Sequence, residues 1–202
     1  MAAVRFLLGF FCFIITGSRW GADRNFISDG GAYQQHNYEW IGKADPVRKK
    51  ILAIAEKEVG VQESDENAGP RVDEYNAYVG FKKVAWCASF VSWVFGQAGH
   101  PQPRSAWSPA IFPADRIAKN PVAGMVMGIY FPKLKRIAHC GIVTRVKGEL
   151  IFSIEGNTNL SGSREGNGVY RRIRHVRSIY RFADWLHLPP LRARHPGAGR
   201  DL

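Results

Sequence analysis

The chain has 202 residues, of which 46% are apolar and 12% are aromatic, so it can form one domain with a buried core. This composition excludes a chain that is disordered throughout. The formal net charge of +11 favours an anionic partner, such as nucleic acid, a membrane surface or an acidic cell-wall polymer. Specific nucleic-acid binding is not expected, because the sequence has neither zinc-finger spacing nor an RNA-binding aromatic motif.

The N-terminal segment is typical of a secretory signal. Arg5 precedes FLLGFFCFII, an uninterrupted apolar run at residues 6–15. This run is much shorter than the roughly 20 apolar residues that a membrane-spanning helix needs. We therefore predict a signal peptide over residues 1–22 and an exported protein, in the periplasm, the cell envelope or outside the cell. The alternative is an uncleaved membrane anchor, and membrane contact is expected only through this segment.

Composition divides the rest of the chain into three parts. Residues 23–44 are polar and lack a clear period, so we predict a linker. Residues 45–188 are expected to form the folded domain. Residues 189–202 are rich in proline and arginine, which predicts a disordered basic tail.

Three helices are predicted at the start of the folded domain. Asp45 is a good N-cap, Pro46 suits the first helical position, and Gly60 is a typical stop. A shorter helix is predicted over residues 71–80. A third is predicted over about 86–97, where the sequence is apolar almost throughout.

Strands are predicted after these helices. Residues 100–121 contain five prolines and are expected to be mostly loop. The strands are predicted at residues 122–131, 137–145, 149–155 and 169 to about 182. Helices followed by strands favour an α+β fold, with the N-terminal helices packed on an antiparallel β-sheet, over a doubly wound one. A monomer is expected.

A β-hairpin is predicted over residues 136–158. A three-residue turn at 146–148 would pair Arg145 with Glu149 and place Gly148 in the left-handed conformation. In this register one face is wholly apolar and should be the core face, because a slip by one residue would invert the two faces. The predicted core face carries Ala138, Cys140, Ile142, Leu150, Phe152 and Ile154.

The opposite face of this hairpin carries His139, Gly141, Val143, Ile151, Ser153 and Glu155. His139 and Glu155 would be directly opposed, with Cβ atoms about 4.5–5.5 Å apart. A carboxylate beside an imidazole orients the ring and raises its basicity, and Gly141 leaves room beside it. Cys140 would point into the core, away from His139, which argues against a disulfide with Cys87.

Cys87 lies at the predicted start of the third helix. No polar capping residue comes directly before Trp86, so the free N–H groups and the helix dipole could stabilise a thiolate and contribute to an oxyanion hole. Taken singly, Cys87 is explained as a buried apolar residue, and His139 and Glu155 as ordinary strand residues. A thiol, an imidazole and a carboxylate in combination favour a cysteine hydrolase.

Three short segments resemble the motifs of CHAP domains, the cysteine- and histidine-dependent amidohydrolases and peptidases of bacterial cell-wall turnover. They are WCASFVSWVFGQAG, AHCGIV and SIEGNT, in that order. The segment VGVQESDENAGPRVDEY resembles the lead-in of one branch of these proteins, so the resemblance covers roughly residues 46–187. It implies a papain-like α+β fold, related to NlpC-type cell-wall hydrolases, and cleavage of amide bonds in peptidoglycan.

The resemblance also implies roles for four residues. Cys87 would be the nucleophile, and His139 the general base and acid. Glu155 would orient the imidazole. Asn157 matches a further polar residue of the family motif and would assist.

The sequence departs from the family pattern in two places. Met125, in AGMVMG, stands where many relatives have aspartate. The acidic calcium loop of some relatives has no clear counterpart, since Asp65 and Glu66 resemble it in composition only. No metal or other cofactor is expected, because the histidines lack metal-binding spacing and no H-E-x-x-H motif occurs.

A basic stretch follows the hairpin, with Arg171, Arg172, Arg174, Arg177 and Arg181. We interpret it as a solvated strand face, with adhesion to an anionic envelope as the alternative. The leading functional hypothesis is a peptidoglycan hydrolase, either an N-acetylmuramoyl-L-alanine amidase or an endopeptidase. The alternatives are a catalytically inactive wall-binding module with the same fold and an acyl transferase acting on an amine.

Overall fold

The structure, a computed structural model, describes residues 45–160 and 166–187. The predicted signal peptide, linker and basic tail lie outside the described residues. The described residues form three α-helices and one six-stranded antiparallel sheet. The predicted α+β class with an antiparallel sheet is therefore confirmed.

The three helices occupy Pro46–Lys57 (α1), Pro70–Tyr78 (α2) and Cys87–Gln97 (α3). The predicted cap of α1 is confirmed, because Asp45 Oδ1 accepts the backbone N–H of Val47 at 2.9 Å. In the part of the chain that the structure describes, no helix combines the length and the apolar character needed to cross a bilayer.

The strands are Ile117–Ala118 (β1), Val126–Phe131 (β2), Arg136–Lys147 (β3), Leu150–Thr158 (β4), Gly168–His175 (β5) and Arg181–Ala183 (β6). Their order in the sheet is β1-β6-β2-β3-β4-β5. A short 3-10 turn divides the predicted last strand into β5 and β6. Strand β3 lies inside the sheet, between β2 and β4, and the central hairpin β3–β4 positions the residues of interest.

The predicted register of this hairpin is wrong at its turn. Lys147 pairs with Leu150, so the loop has two residues, and the register shifts between Val143 and Arg145. This irregularity is a bulge, in which one strand carries an extra residue. Gly148 does take the predicted left-handed conformation, with φ 56°.

The predicted separation into a core face and an outer face is also wrong. Leu150, assigned to the core face, is 41% exposed. Val143 and Ile151, assigned to the outer face, are fully buried in a cluster with Met127 and Phe182. The sheet therefore buries apolar side chains on both faces at its centre, and face polarity alone could not decide the register.

Helix α3 lies unusually close to strand β4. A Cβ added at Gly156 would lie 2.7 Å from the Cβ of Phe90 and 2.8 Å from Cζ3 of Trp86. Trp86 and Phe90 are both fully buried. Only glycine at position 156 allows this close approach, which sets the distance between the start of α3 and the sheet.

Replacing Gly156 with alanine should force α3 away from β4. We expect the free energy of unfolding in urea to fall by about 1–3 kcal/mol and the rate of Cys87 alkylation to change. Gly60→Ala is the matched control, since an added Cβ there meets no atom within 4 Å although φ is 97°. It should lower stability through backbone strain alone and leave alkylation unchanged. Wild-type stability and reactivity in Gly156→Ala would contradict the close packing.

Candidate active site

Cys87 is the first residue of α3, and no side chain caps this helix. Two contacts hold the preceding residue, Trp86, in place. Its indole Nε1–H donates to Glu63 Oε1 at 2.5 Å. Its backbone N–H donates to the side-chain oxygen of Asn157 at 2.9 Å. In the same orientation of the amide group, the side-chain nitrogen of Asn157 donates to the carbonyl of Gly166 at 3.1 Å. The start of the helix is thus fixed from two directions.

His139 on β3 and Glu155 on β4 are brought together by a short contact. His139 Nε2 and Glu155 Oε2 lie 2.7 Å apart, and the imidazole is 12% exposed while the carboxylate is fully buried. The two residues are not directly opposed as predicted. Ile142 pairs with Ile154, so Gly141, not His139, lies across from Glu155.

Gly141 explains how the two side chains still meet. A Cβ at this position would lie 2.5 Å from Cγ of Glu155. The side chain of Glu155 therefore crosses over Gly141 to reach the imidazole. The space that the glycine leaves is occupied by the carboxylate arm itself.

Three further donors surround the Glu155 carboxylate. Arg174 on β5 donates from Nε to Oε1 at 2.7 Å and from Nη2 to Oε2 at 2.5 Å, and Ser153 Oγ donates to Oε1 at 2.6 Å. Burial would raise the pKa of Glu155, but Arg174 and His139 outweigh burial and hold it at about 2. The carboxylate is therefore ionised across the physiological range.

The Cys87 thiol interacts with three groups from two parts of the chain, a 3-10 turn and strand β3. Its Sγ lies 3.4 Å from Ser108 Oγ, and it also interacts with the thiol of Cys140 and the imidazole of His139. The hydrogen bond from Cys140 lowers the pKa of Cys87 most strongly; burial opposes this effect, and His139 adds to it. The result is a pKa well below the ordinary value for cysteine.

Cys140 is fully buried in the core and forms no disulfide, as predicted, but it is not separated from the site, because its thiol interacts with that of Cys87. Both cysteines are buried free thiols, yet they contact each other. The hydrogen bond to Cys87 and burial raise the pKa of Cys140 well above its ordinary value, so Cys140 remains a thiol and donates. The β2–β3 register also shifts beside His139, at a second irregularity of the sheet. Such bulges re-aim neighbouring side chains.

The contacts of His139 favour an imidazolium. Burial lowers its pKa, but Cys87 and Glu155 outweigh burial and raise the pKa of His139 to about 9. With Nε2 held by Glu155, Nδ1 is the nitrogen that remains for Cys87. A thiolate–imidazolium pair is therefore the favoured state between the lowered pKa of Cys87 and about pH 9. Such a pair can act as nucleophile and general acid.

The structure thus brings Cys87, His139 and Glu155 together. The fourth predicted residue, Asn157, contacts backbone groups next to the site. The side chain of Asn157 contacts the backbone of Trp86 and Gly166. The backbone of Asn157 itself is left-handed, with φ 51°. Asn157 supports the start of α3 through the backbone of Trp86.

Three residues of the site were missed in the sequence. They are Ser108, Ser153 and Arg174. Ser153 could have been found from its position two residues before Glu155 on the same strand face. Ser108 lies in a 3-10 turn inside a predicted loop, where no pattern marks it.

The basic stretch is only partly a solvated face. Arg174 is held by the buried Glu155, which corrects that interpretation for this residue. Arg171 pairs with Glu56, and Arg177 lies 3.5 Å from Glu149. The side chains of Arg171 and Arg177 are nevertheless 57% and 81% exposed, so the interpretation as a solvated face holds for them. Adhesion of this stretch to an anionic envelope stays a prediction.

Metal ligands are not clustered in the described part of the chain. Among residues 45–160 and 166–187, no group of three or more His, Cys, Asp or Glu side chains is placed to hold an ion. Asp65 pairs with Lys83 at 3.2 Å. Met125 is buried and accepts the N–H of Val122 through its sulfur at 3.4 Å.

Removing the Cys140 thiol should raise the pKa of Cys87. We expect Cys140→Ala to shift the midpoint of the pH–rate profile for iodoacetamide upwards by about one unit, with the modified peptide identified by mass spectrometry. Cys140→Ser keeps a donor and is the matched control, so its midpoint should stay near that of the wild type. An unchanged midpoint in Cys140→Ala would show that the thiol contact does not act on Cys87.

Arg174→Gln should leave a buried carboxylate without its counter-charge. We expect the free energy of unfolding at pH 7 to fall by about 3–5 kcal/mol, against less than about 0.5 kcal/mol for Arg172→Gln on the same strand.

The loss of stability in Arg174→Gln should depend on pH. The pKa of Glu155 is about 2 in the folded protein against an ordinary 4.5. Its stabilising effect is therefore complete above pH 4.5 and lost as the pH falls through about 2. The difference between wild type and Arg174→Gln should shrink over that range in urea titrations, and a constant difference would contradict the pairing.

Comparison with known proteins does not assign a function to this site. Comparison of the chain with the profiles of known protein families and with curated proteins finds no match. The functional assignment therefore depends on the arrangement of the side chains themselves and on the resemblance of the short motifs.

Proposed function

We propose that the protein is a cysteine hydrolase that cleaves amide bonds in peptidoglycan. The observation that carries the proposal is that His139 interacts with the Cys87 thiol and that its Nε2 lies 2.7 Å from the Glu155 carboxylate. A nucleophile, a base and an orienting group in contact are the minimal requirement for this reaction.

The first half of the reaction is acylation. The Cys87 thiolate attacks the carbonyl carbon of the amide, and the electron pair of the C=O bond moves to oxygen. The backbone N–H of Cys87, at the uncapped start of α3, is a suitable donor to this oxyanion. When the C–N bond breaks, the His139 imidazolium gives its proton to the leaving amine, and an acyl-enzyme remains.

The second half is hydrolysis of the acyl-enzyme. Neutral His139 takes a proton from water, whose oxygen attacks the thioester carbonyl, and the thiolate leaves with an acid as product. The ionised Glu155 stabilises the imidazolium, which is the resting form of His139 and forms again in this second half. Arg174 keeps Glu155 charged and in place, so its role is to position the carboxylate.

Two observations support peptidoglycan as the substrate. The motifs around Cys87, His139 and Glu155 resemble those of CHAP domains, which implies a papain-like fold and this substrate class. The net charge of +11 suits an anionic cell-wall polymer. Export through the N-terminal segment belongs to the same proposal.

Digestion of purified peptidoglycan, followed by mass spectrometry of the fragments, tests the proposal. We expect wild-type protein to release products and Cys87→Ala to lower the rate at least about 1,000-fold. Asn120→Ala, at an exposed and uncharged position, is the control and should digest at the wild-type rate. The fragment masses identify the bond as muramoyl–alanine or as a peptide link.

Other outcomes separate the alternatives. In water labelled with heavy oxygen, hydrolysis places the label in the new carboxyl group, whereas fragments joined to an added amine indicate acyl transfer. Binding without cleavage, together with a Cys87 that iodoacetamide does not modify, would support a catalytically inactive wall-binding module. Equal digestion by wild type and Cys87→Ala would overturn the assigned nucleophile.

A further inference from the structure

A half-exposed tryptophan lies next to the site. Trp107 is 53% exposed and directly precedes Ser108, whose Oγ lies 3.4 Å from Cys87 Sγ. Its backbone N–H donates to Ser105 Oγ at 2.9 Å, which fixes the chain at this point. A large apolar ring is therefore held in solvent one residue away from a contact of the nucleophile.

An arginine covers this ring. The guanidinium carbon of Arg136 lies 4.2 Å from the centre of the Trp107 ring. Arg136 is the first residue of β3, three residues before His139, so it lies at the same end of the strand as the imidazole. The stack and a hydrogen bond to the carbonyl of Ile137 at 3.1 Å hold the guanidinium in one plane.

Arg136 differs from the arginines that serve the fold. Arg48 pairs with Asp184 at 2.7 Å, and Arg71 pairs with Glu58 at 2.7 Å. Among the described residues, no carboxylate pairs with Arg136, and it is only partly buried. Its planar set of N–H donors remains available for a carboxylate from outside, which such a group binds through two parallel hydrogen bonds.

We infer that Arg136 and Trp107 form a subsite for a substrate carboxylate, so that the preferred substrate is an acidic peptide with its carboxylate near the scissile amide. The inference rests on the proposed function for its site and adds the chemical class of the substrate. Arg136 binds the carboxylate, and the exposed edge of Trp107 packs against the aliphatic part of the same substrate residue. The subsite and Cys87 are connected through Ser108.

Paired alkylating reagents test the subsite without requiring turnover. Iodoacetate and iodoacetamide differ mainly in that only the first carries a carboxylate. The same is true of 3-maleimidopropionate and N-ethylmaleimide, and in this second pair the carboxylate lies further from the reacting sulfur. We expect the ratio of anionic to neutral rates at Cys87 to fall about threefold to tenfold in Arg136→Gln. Arg136→Lys keeps the charge without the planar donors, so its ratio should be intermediate.

Arg145→Gln is the matched control. Arg145 is on the same strand and stacks on Phe152 at 3.9 Å, but it lies at the end near the hairpin turn. Its ratio should equal that of the wild type. A ratio that falls equally in both variants, or in neither, would overturn the subsite while leaving a reactive Cys87 and the proposed function intact.

Peptide binding provides a second measurement that does not depend on the thiol. Calorimetric titration compares a short peptide that contains one glutamate with its glutamine counterpart. We expect wild type to bind the glutamate peptide at least about threefold more tightly and Arg136→Gln to lose this preference. If the preference is present while Cys87 is unreactive, the subsite stands and the hydrolase proposal fails. If neither peptide is preferred, the subsite is wrong.

Discussion

A fully buried carboxylate is the constraint on which the rest of the site depends. An ionised Glu155 inside the sheet is tolerated only because Arg174, Ser153 and His139 supply its hydrogen bonds. These partners come from three neighbouring strands, so the pairing of β3, β4 and β5 and the ionisation of Glu155 require each other. The imidazole is consequently held by a group that cannot move to solvent.

The pKa of the Cys87 thiol, at the start of α3, is set by opposing effects. Burial opposes a thiolate, whereas donors from Cys140 and Ser108 and the neighbouring imidazolium favour it. The two cysteines are therefore chemically different although both are buried: one tends to lose its proton and the other keeps it to donate. A simple classification of buried cysteine as inert does not apply to this pair.

Two glycines let these groups approach. Gly141 leaves the path along which Glu155 reaches His139, and Gly156 lets Trp86 and Phe90 lie against β4. Asn157 then secures the backbone of Trp86. The nucleophile on the helix and the acid–base pair on the sheet are brought to a common point because the chain has no side chain at these two positions.

Four features could be predicted from the amino-acid sequence: the α+β class, the helix that begins at Cys87, the cap at Asp45 and the hairpin that carries His139 and Glu155. These features depend on local periodicity, capping and turn chemistry, which a single segment contains. The register of the hairpin could not be predicted in this way, because a bulge between Val143 and Arg145 shifts it and both faces of the sheet are buried at the centre. Only the tertiary structure decided the roles of Arg174, Ser108 and Cys140, since these contacts join segments far apart in the chain, and no local pattern encodes which distant side chain will meet a buried charge.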